Sequence, residues 1–242
     1  MKISIITICY NAEKSIENTV LSVLNQTYKN IEYIIIDGKS TDKTLEILDK
    51  YTENKKIKIY CEPDFGVYNA MNRGITRISG DYVIFMNAGD QFYNELVLTE
   101  IRKFVDKKDK CILYGKVYRV HSKKGDKIKD FSQIARSPLQ GFLNKEMPCH
   151  QGIIAPADSL KNFYFKEEFK YCADFDWLIR CYKAGYQMIN TDCMICKYDN
   201  TGLTSDKKNR KYMKQESEII LKRNFPVLFR LQLIIDKIRN AF

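Results

Sequence analysis

The stretch Cys61–Asp90, CEPDFGVYNAMNRGITRISGDYVIFMNAGD, decides the fold, because its parts change period and purpose in quick succession. Glu62, Asp64 and Gly66 make a turn rich in carboxylates. Val67 to Ile78 reads as a short helix, with Ala70, Met71, Gly74, Ile75 and Ile78 near helical spacing. Ser79-Gly80-Asp81 breaks it, and Tyr82-Val83-Ile84-Phe85-Met86 follows as a continuous apolar, β-branched and aromatic run. Such a run suits a strand buried on both faces. It empties into Asn87-Ala88-Gly89-Asp90, polar groups just past a strand's carboxyl end, where open α/β sheets bind their ligands.

Upstream, residues 3–8 form a first strand, and Asn11 in the loop Cys9-Tyr10-Asn11 suits the N-cap of the next helix. Ile16, Val20, Val23 and Leu24 recur as the buried stripe of that helix. Tyr33 to Ile36 is a second strand, ending in Asp37-Gly38-Lys39-Ser40-Thr41-Asp42, where Ser40 or Thr41 caps a helix to about Tyr51. Ile57 to Tyr60 is a third strand and leads into Glu62. This β-α-β-α-β-α-β order implies a parallel sheet with right-handed crossovers. Four strand ends then converge on one edge: Tyr10-Asn11, Asp37, Glu62-Asp64 and Asn87-Asp90.

Downstream the alternation loosens. Leu96 to Val105 reads as helix, Cys111 to Val120 as strand, and Lys123 to Lys129 as a basic hairpin or loop. Met147-Pro148-Cys149-His150-Gln151-Gly152 precedes another apolar piece, Ile153-Ile154-Ala155. Phe175 to Ala184 is a helix closed by Gly185. Met188-Ile189 and Met194-Ile195 suggest two short strands.

Composition bounds the class. With 242 residues and 45% hydrophobic, the chain has enough material for one generous α/β domain, alone or with a tail. No stretch approaches the roughly 18–20 uncharged apolar residues that span a bilayer. The apolar run after Met1 is too short for a signal peptide and lacks a small-residue cleavage site, so a cytoplasmic protein is expected. The eight cysteines follow no framework spacing and read as small buried hydrophobes. Cys193-Met194-Ile195-Cys196 is a lone CxxC, with only Cys149-His150 to complete a zinc site, so no structural zinc is expected. Of the net charge of +10, the segment from Lys207 onward carries +7, from ten Lys or Arg against three Asp or Glu. That asymmetry points the tail toward an anionic partner.

The carboxylates carry the chemistry. Asp37 before a Gly is suited to accept a hydrogen bond from a nucleobase or ribose, or simply to form a turn. Glu62, Asp64 and Asp90 meet at one sheet edge, where like charges repel unless a cation sits among them. Hard carboxylates suit Mg²⁺ or Mn²⁺, which bridges a diphosphate, and Arg73 adds charge for the phosphates. The plainer reading is that each carboxylate solvates a loop. Asp174, in ADFDWLIR at a helix start, is an ordinary N-cap or a general base aimed at an acceptor hydroxyl. His150 competes for that role or lines the site.

Taken together, ISIITICYNAEKSIENTVLSVLNQTYKNIEYIIIDGKSTDKT, EPDFGVYNAMNRGI, GDYVIFMNAGD, CHQG, DFDWLIRCYKAG and TGLTS resemble the family 2 glycosyltransferases. These are inverting enzymes of GT-A fold that use nucleotide-sugars in bacterial polysaccharide synthesis. The resemblance implies an α/β, Rossmann-like, mostly parallel central sheet flanked by helices. It spans a domain 1–205, with a nucleotide-sugar half to about 115 and an acceptor half over 116–205. It also implies roles: Thr7, Tyr10 and Asn11 line the nucleotide pocket, and Asp37 contacts the base, most often uracil. Glu62, Asp64 and Arg73 border the ribose and diphosphate. Asn87 to Asp90 falls on the metal motif, with Asp90 the ligand of a Mg²⁺ or Mn²⁺ ion. Asp174 is the catalytic base, and His150 and Gln151 line the acceptor side. The implied reaction moves a sugar from a UDP-sugar to a glycan or lipid-linked glycan, as in capsule, O-antigen or lipopolysaccharide assembly.

Three positions depart from the family pattern. Asn-Ala-Gly-Asp supplies one acid where more typical members have two or three; Ala173 replaces a Glu that often precedes the base; Lys116 stands where an acid is usual. Residues 206–242 match no family motif. There Leu231, Ile234, Ile235, Ile238 and Phe242 make one apolar helical face beside Arg230, Lys237 and Arg239. A basic amphipathic helix of this kind lies on an anionic membrane, which would make the protein peripheral on the inner face of the cytoplasmic membrane, or else packs on the domain or a second subunit. Competing classes fit less well. A sugar-nucleotide nucleotidyltransferase needs a Gly-rich basic loop after the first strand, and Cys9-Tyr10-Asn11-Ala12 has no Gly. A nucleic-acid binder would place its basic residues beside exposed aromatics rather than in a tail. A catalytically inactive nucleotide-sugar-binding homologue remains the alternative within the family.

Overall fold

A computed structural model describes residues 1–105, 111–120, 126–131, 134, 137–199 and 206–239. Strands and helices alternate through the first part: β1 (Ile3–Cys9), α1 (Ile16–Leu24), β2 (Ile31–Asp37), α2 (Thr44–Asp49), β3 (Ile57–Cys61), α3 (Val67–Ile75) and β4 (Tyr82–Phe85). There follow β5 (Gln91–Phe92), α4 (Val97–Ile101), β6 (Cys111–Val120), β7 (Lys127–Lys129), α5 (Pro138–Leu143) and β8 (Ile153–Pro156). The chain continues through α6 (Ala157–Asn162), α7 (Ala173–Lys183), β9 (Gln187–Asp199), α8 (Arg210–Asn224) and α9 (Pro226–Arg239).

Among the described residues the sheet runs β3-β2-β1-β4-β8-β6-β9-β5, with β7 beside β6. β3, β2, β1 and β4 are mutually parallel. The chain steps outward from β1 to β3, then returns to lay β4 on the other flank of β1. The topological switch point therefore falls between β1 and β4. Beyond β4 the sheet is mixed: β8 is antiparallel to β4 and β6, while β9 is parallel to β6 and antiparallel to β5. The expected parallel sheet is thus confined to its first four strands. Past that point the connections are no longer single crossover helices, and the handedness rule does not set strand direction.

Every residue of β1, β2 and β4 is buried, which explains their unbroken apolar runs. Alternate residues feed two cores. Ile6, Ile8, Ile34 and Ile36 pack with Ala70, Met71 and Ile75 of α3, while Ile3, Ile5, Tyr33 and Ile35 pack with Ile16, Val20 and Val23 of α1. Some boundaries differ from expectation. α3 stops at Ile75, and α2 begins only at Thr44. Asn11 does not cap α1; it adopts φ +48° and its Oδ1 accepts the backbone N–H of Thr41 at 2.8 Å, tying two strand-end loops together. Two short strands merge into β9 because β6 pairs along its whole length, with register shifts around Lys116. Of the expected basic hairpin or loop over Lys123–Lys129, the end forms β7, while residues 123–125 and the TGLTS segment lie outside the described residues.

The C-terminal segment is no detached tail. Ile220, Leu221 and Phe229 are buried in the same core as α3 and α7, so the division at about 205 does not separate two cores. On α9, Val227, Leu231 and Ile234 stay exposed, whereas the side chains of Ile235, Ile238 and Phe242 lie outside the description. Among the described residues no helix is long and apolar enough to cross a membrane.

At the edge opposite the strands' carboxyl ends, one buried acid organises the start of the sheet. Glu32 accepts hydrogen bonds from Ser4 Oγ (2.6 Å), Ser79 Oγ (2.6 Å), Gly80 N (3.0 Å) and Lys2 Nζ (2.9 Å), and from Ser79 N. Burial works against its charge, but the donors from Ser4, Ser79 and Lys2 outweigh it and hold the carboxyl at about 2, against an ordinary 4.5. A depressed folded value means that the stabilisation is complete above about pH 4.5 and is lost as pH falls toward 2. Glu32→Gln should destabilise the protein at neutral pH by about 2 kcal/mol, and its stability should fall less steeply with acid through that window. Denaturant melts at stepped pH check this; parallel acid limbs in both proteins would contradict it.

Candidate active site

At the switch point a cavity of about 710 Å³ opens between the ends of β1 and β4. Its walls are the strand-end loops: Ile8 to Ala12 after β1, Asp64 and Gly66 to Tyr68 at the start of α3, and Asn87, Ala88 and Asp90 after β4. The turn into α3 needs Gly66, whose φ of +121° suits no L side chain, and Asp64 Oδ1 accepts its N–H at 3.0 Å. A second cavity of about 690 Å³ lies alongside, lined by Lys129, Lys145, Met147, Met213, Lys214 and neighbours. His150, Gln151, Tyr171, Asp174 and Tyr198 line both cavities and form the partition between them.

Asp174, in the first turn of α7, is the carboxylate in that partition. Its Oδ1 accepts the Tyr68 hydroxyl and the Phe175 backbone N–H, both at 2.9 Å, and its Oδ2 lies 3.3 Å from His150 Nδ1. A ring nitrogen facing a carboxylate carries a proton, so Nδ1–H points at Asp174. On the other side of the ring Nε2 lies 3.1 Å from Asn87 Nδ2. Asn87 thereby fixes the ring, and His150 orients the acid. A carboxylate offers about four lone-pair sites. Among the described residues three are taken, which leaves one for a hydroxyl at the junction of the cavities.

The short segment Cys149-His150-Gln151 serves two acids at once. His150 reaches Asp174, while Gln151 Nε2 donates to Asp90 Oδ2 at 2.9 Å. Gln151 is itself oriented by the Cys149 thiol, which donates to Oε1 at 2.7 Å. Burial, reinforced by the charge of Asp90, pushes that thiol up to about 12, so it stays a donor. Asp90 is buried beside the first cavity. Among the described residues no three His, Cys, Asp or Glu side chains cluster to hold a metal ion. The Asn87 amide oxygen is buried without a hydrogen-bond partner among those residues, an orphan acceptor three positions before Asp90.

Of the residues singled out from the sequence, Tyr10, Asn11, Asp64, Asn87, Asp90, His150, Gln151 and Asp174 line the cavities. The other four do not. Thr7 is fully buried, donating to Met86 O at 2.6 Å and paired with the Tyr33 hydroxyl at 2.8 Å. Asp37 is buried below Gly38, its oxygens taken by Ser40 N (2.8 Å) and Ser40 Oγ (2.5 Å). Glu62 pairs with Arg77 and, at 3.3 Å, with Arg73, so Arg73 neutralises an internal acid and is no part of the cavity wall. Tyr68, Lys170, Tyr171 and Tyr198 also line the first cavity, and sequence reasoning missed all four. For Tyr68 a signal existed: a tyrosine on the buried stripe of α3 must find a partner for its hydroxyl.

Fold and site define an α/β protein whose switch-point cavity is separated from a neighbouring one by a buttressed carboxylate. The chain belongs to glycosyl transferase family 2, whose model matches residues 4–169. Over 165 residues it is 28% identical to a PGL/p-HBAD biosynthesis glycosyltransferase of Mycobacterium bovis (strain BCG / Pasteur 1173P2), a match covering 66% of this chain and 62% of that relative. The aligned part thus spans less than two thirds of the relative's length. Among solved structures it shares its fold with S. aureus TarS 1–349 in complex with UDP-GlcNAc, at TM-score 0.73 and 20% identity over 93% of this chain and 68% of that one. It likewise matches the mannosyltransferase PcManGT of Pyrobaculum calidifontis in complex with GDP-Man and Mn²⁺, at TM-score 0.65 and 17% identity over 95% and 64%.

The contact between Tyr68 and Asp174 is testable without reference to activity. In thermal unfolding, Tyr68→Phe and Asp174→Asn should be coupled by about 1 kcal/mol, as groups in direct contact are. Additivity within about 0.3 kcal/mol would mean that the hydroxyl does not bond the carboxylate.

Proposed function

We propose that this protein transfers a sugar from a UDP-sugar to a hydroxyl of a glycan or lipid-linked glycan, with inversion at the anomeric carbon. The observation that carries the reading is Asp174 in a partition between two cavities, with one lone-pair site left over. The switch-point cavity would take the nucleotide-sugar, between the loops of Tyr10-Asn11 and Asp64 and the floor of Asn87 and Asp90. The neighbouring cavity would take the acceptor. Asp174 removes the acceptor hydroxyl's proton as that oxygen bonds to the anomeric carbon; the bond from that carbon to the diphosphate breaks, its electron pair leaving with UDP. One displacement inverts the centre. His150 and Tyr68 hold the carboxylate in line, which is where positioned acids and bases gain their effect.

The donor set fits a hard divalent ion. Mg²⁺ or Mn²⁺ takes one or two carboxylates and fills its shell with substrate phosphates and water. Asp90 and the orphan oxygen of Asn87 would hold it, and when bound it would offset charge on the departing diphosphate. Among this chain's own residues, Lys170 brings positive charge to the same cavity. UDP bound to the fold neighbour S. aureus TarS supports uridine as the base. Arg230 beside the exposed apolar residues of α9 supports association with an anionic membrane surface, fitting a lipid-linked acceptor in cell-surface polysaccharide synthesis.

Calorimetric titration with UDP, with and without Mn²⁺, tests the donor site. Binding should need the metal and should weaken at least tenfold in Asp90→Ala; absence of UDP binding under every metal condition would overturn the uridine assignment. Gly38→Ala gives a second, local test. A methyl at that position would overlap Asp64 Oδ2, so the carboxylate must swing aside. Because the clash is with a side-chain tip, Gly38→Ala should fold normally yet lose UDP affinity to the same degree as Asp64→Ala. Unchanged affinity in both variants would remove Asp64 from the donor site.

A further inference from the structure

Helix α8 touches the loop that delivers Asp174, and it does so through a directed contact. Glu216 accepts three consecutive backbone N–H groups: Lys170 on Oε1, and Tyr171 and Cys172 on Oε2, each at 2.9 Å. The same helix adds a stack of Tyr212 on Tyr171, with ring centroids 6.2 Å apart and planes 14° apart. The Cys172 thiol donates to Met213 O at 3.5 Å, and just before the helix Asn209 Oδ1 accepts the Tyr171 hydroxyl at 3.2 Å. From the opposite side Tyr68 lies 3.1 Å from Tyr171 O and 2.9 Å from Asp174 Oδ1. The loop 170–172 is therefore gripped between α3, which borders the donor cavity, and α8.

We propose that Glu216 is a positioning residue for the transfer reaction, fixing the loop 170–172 and through it the carboxylate of Asp174; this rests on the function proposed above. Successive N–H groups converging on one acid form an anion-binding concavity, and here the protein fills it with its own side chain. Without Glu216 three donors lose their partner, and the cheapest response is rotation of those peptides toward water. Asp174 follows two residues later. A shift of about 1 Å there is enough to cost on the order of 100-fold in rate. The nucleotide-cavity walls from β1 and β4 make none of these contacts, whereas Tyr68, Lys170 and Tyr171 line that cavity too, so nucleotide affinity should fall only modestly and by far less than the rate.

The test uses the full chain, with Glu216→Gln as the mild variant, Glu216→Ala as the severe one and Lys222→Gln as control. Lys222 is exposed on the same helix. Two readouts separate this proposal from the general function. In hydrogen–deuterium exchange, Glu216→Gln should speed exchange at least tenfold in peptides covering 170–172, with α1 and β1 unchanged and no effect of Lys222→Gln. In kinetics, release of UDP from UDP-GlcNAc should lose about 10- to 100-fold in kcat, with KM and UDP affinity moving less than about threefold. If the severe variant fails to fold, the mild one decides. Unchanged exchange at 170–172, or an equal loss of kcat and UDP affinity, overturns the brace. Absence of UDP release by the wild type from UDP-GlcNAc, UDP-glucose and UDP-galactose alike would count against the proposed function and leave the exchange result to decide the brace.

Discussion

A reversal of strand direction at β4 is the constraint on which the rest of the cleft depends. β4 pairs in parallel with β1 but antiparallel with β8, Ile84 facing Ile154 and Tyr82 facing Pro156. That register brings the amino end of β8 to the carboxyl end of β4. Cys149, His150 and Gln151, which run directly into β8, are thereby delivered to Asn87 and Asp90. A parallel β8 would have carried the same three residues to the far edge, beside Glu32 and Lys2. Instead they bridge the two acids of the cleft, one through each neighbouring side chain.

The charges at this edge are settled largely inside the protein. Convergent carboxylates at three strand ends suggest mutual repulsion relieved by a bound cation. In the fold most of them are relieved singly. Glu62 has Arg73 and Arg77, Asp37 has the Ser40 backbone and hydroxyl, and Asp90 has the amide of Gln151. What reaches the cavity is a short set of polar groups in fixed orientations. A lean set suits a ligand that brings its own diphosphate, since the substrate then completes the shell of any ion held by Asp90.

The reach of sequence reasoning follows from the range of the interactions. Strand runs and helix stripes are local, so the first four strands, their parallel pairing and their shared carboxyl edge could be read directly. Asn87, Asp90, His150 and Asp174 could be marked because polar groups at strand ends and helix starts have few other uses. Which of the marked acids face the cavity could not be read. Asp37 and Asp64 look alike in sequence, and only the tight turn through Ser40 buries the first. The buttresses of Asp174 were hidden for a different reason. Tyr68 lies 106 positions away in the chain, and Glu216 grips its loop from 44 to 46 positions away. Periodicity carries no information over such separations. The helix of Glu216 read only as part of a basic tail because its average polarity conceals Ile220 and Leu221, both fully buried.

The central claim is that Asp174 performs the chemistry from a partition that nucleotide binding does not need. The most direct measurement is UDP release from UDP-GlcNAc by Asp174→Asn beside calorimetric UDP affinity of the same preparation. Asn keeps the shape but cannot take a proton. The account predicts a rate loss of about 100- to 10,000-fold, with UDP affinity within about threefold of wild type. A variant that turns over at near the wild-type rate, or one that loses UDP binding together with turnover, would contradict it.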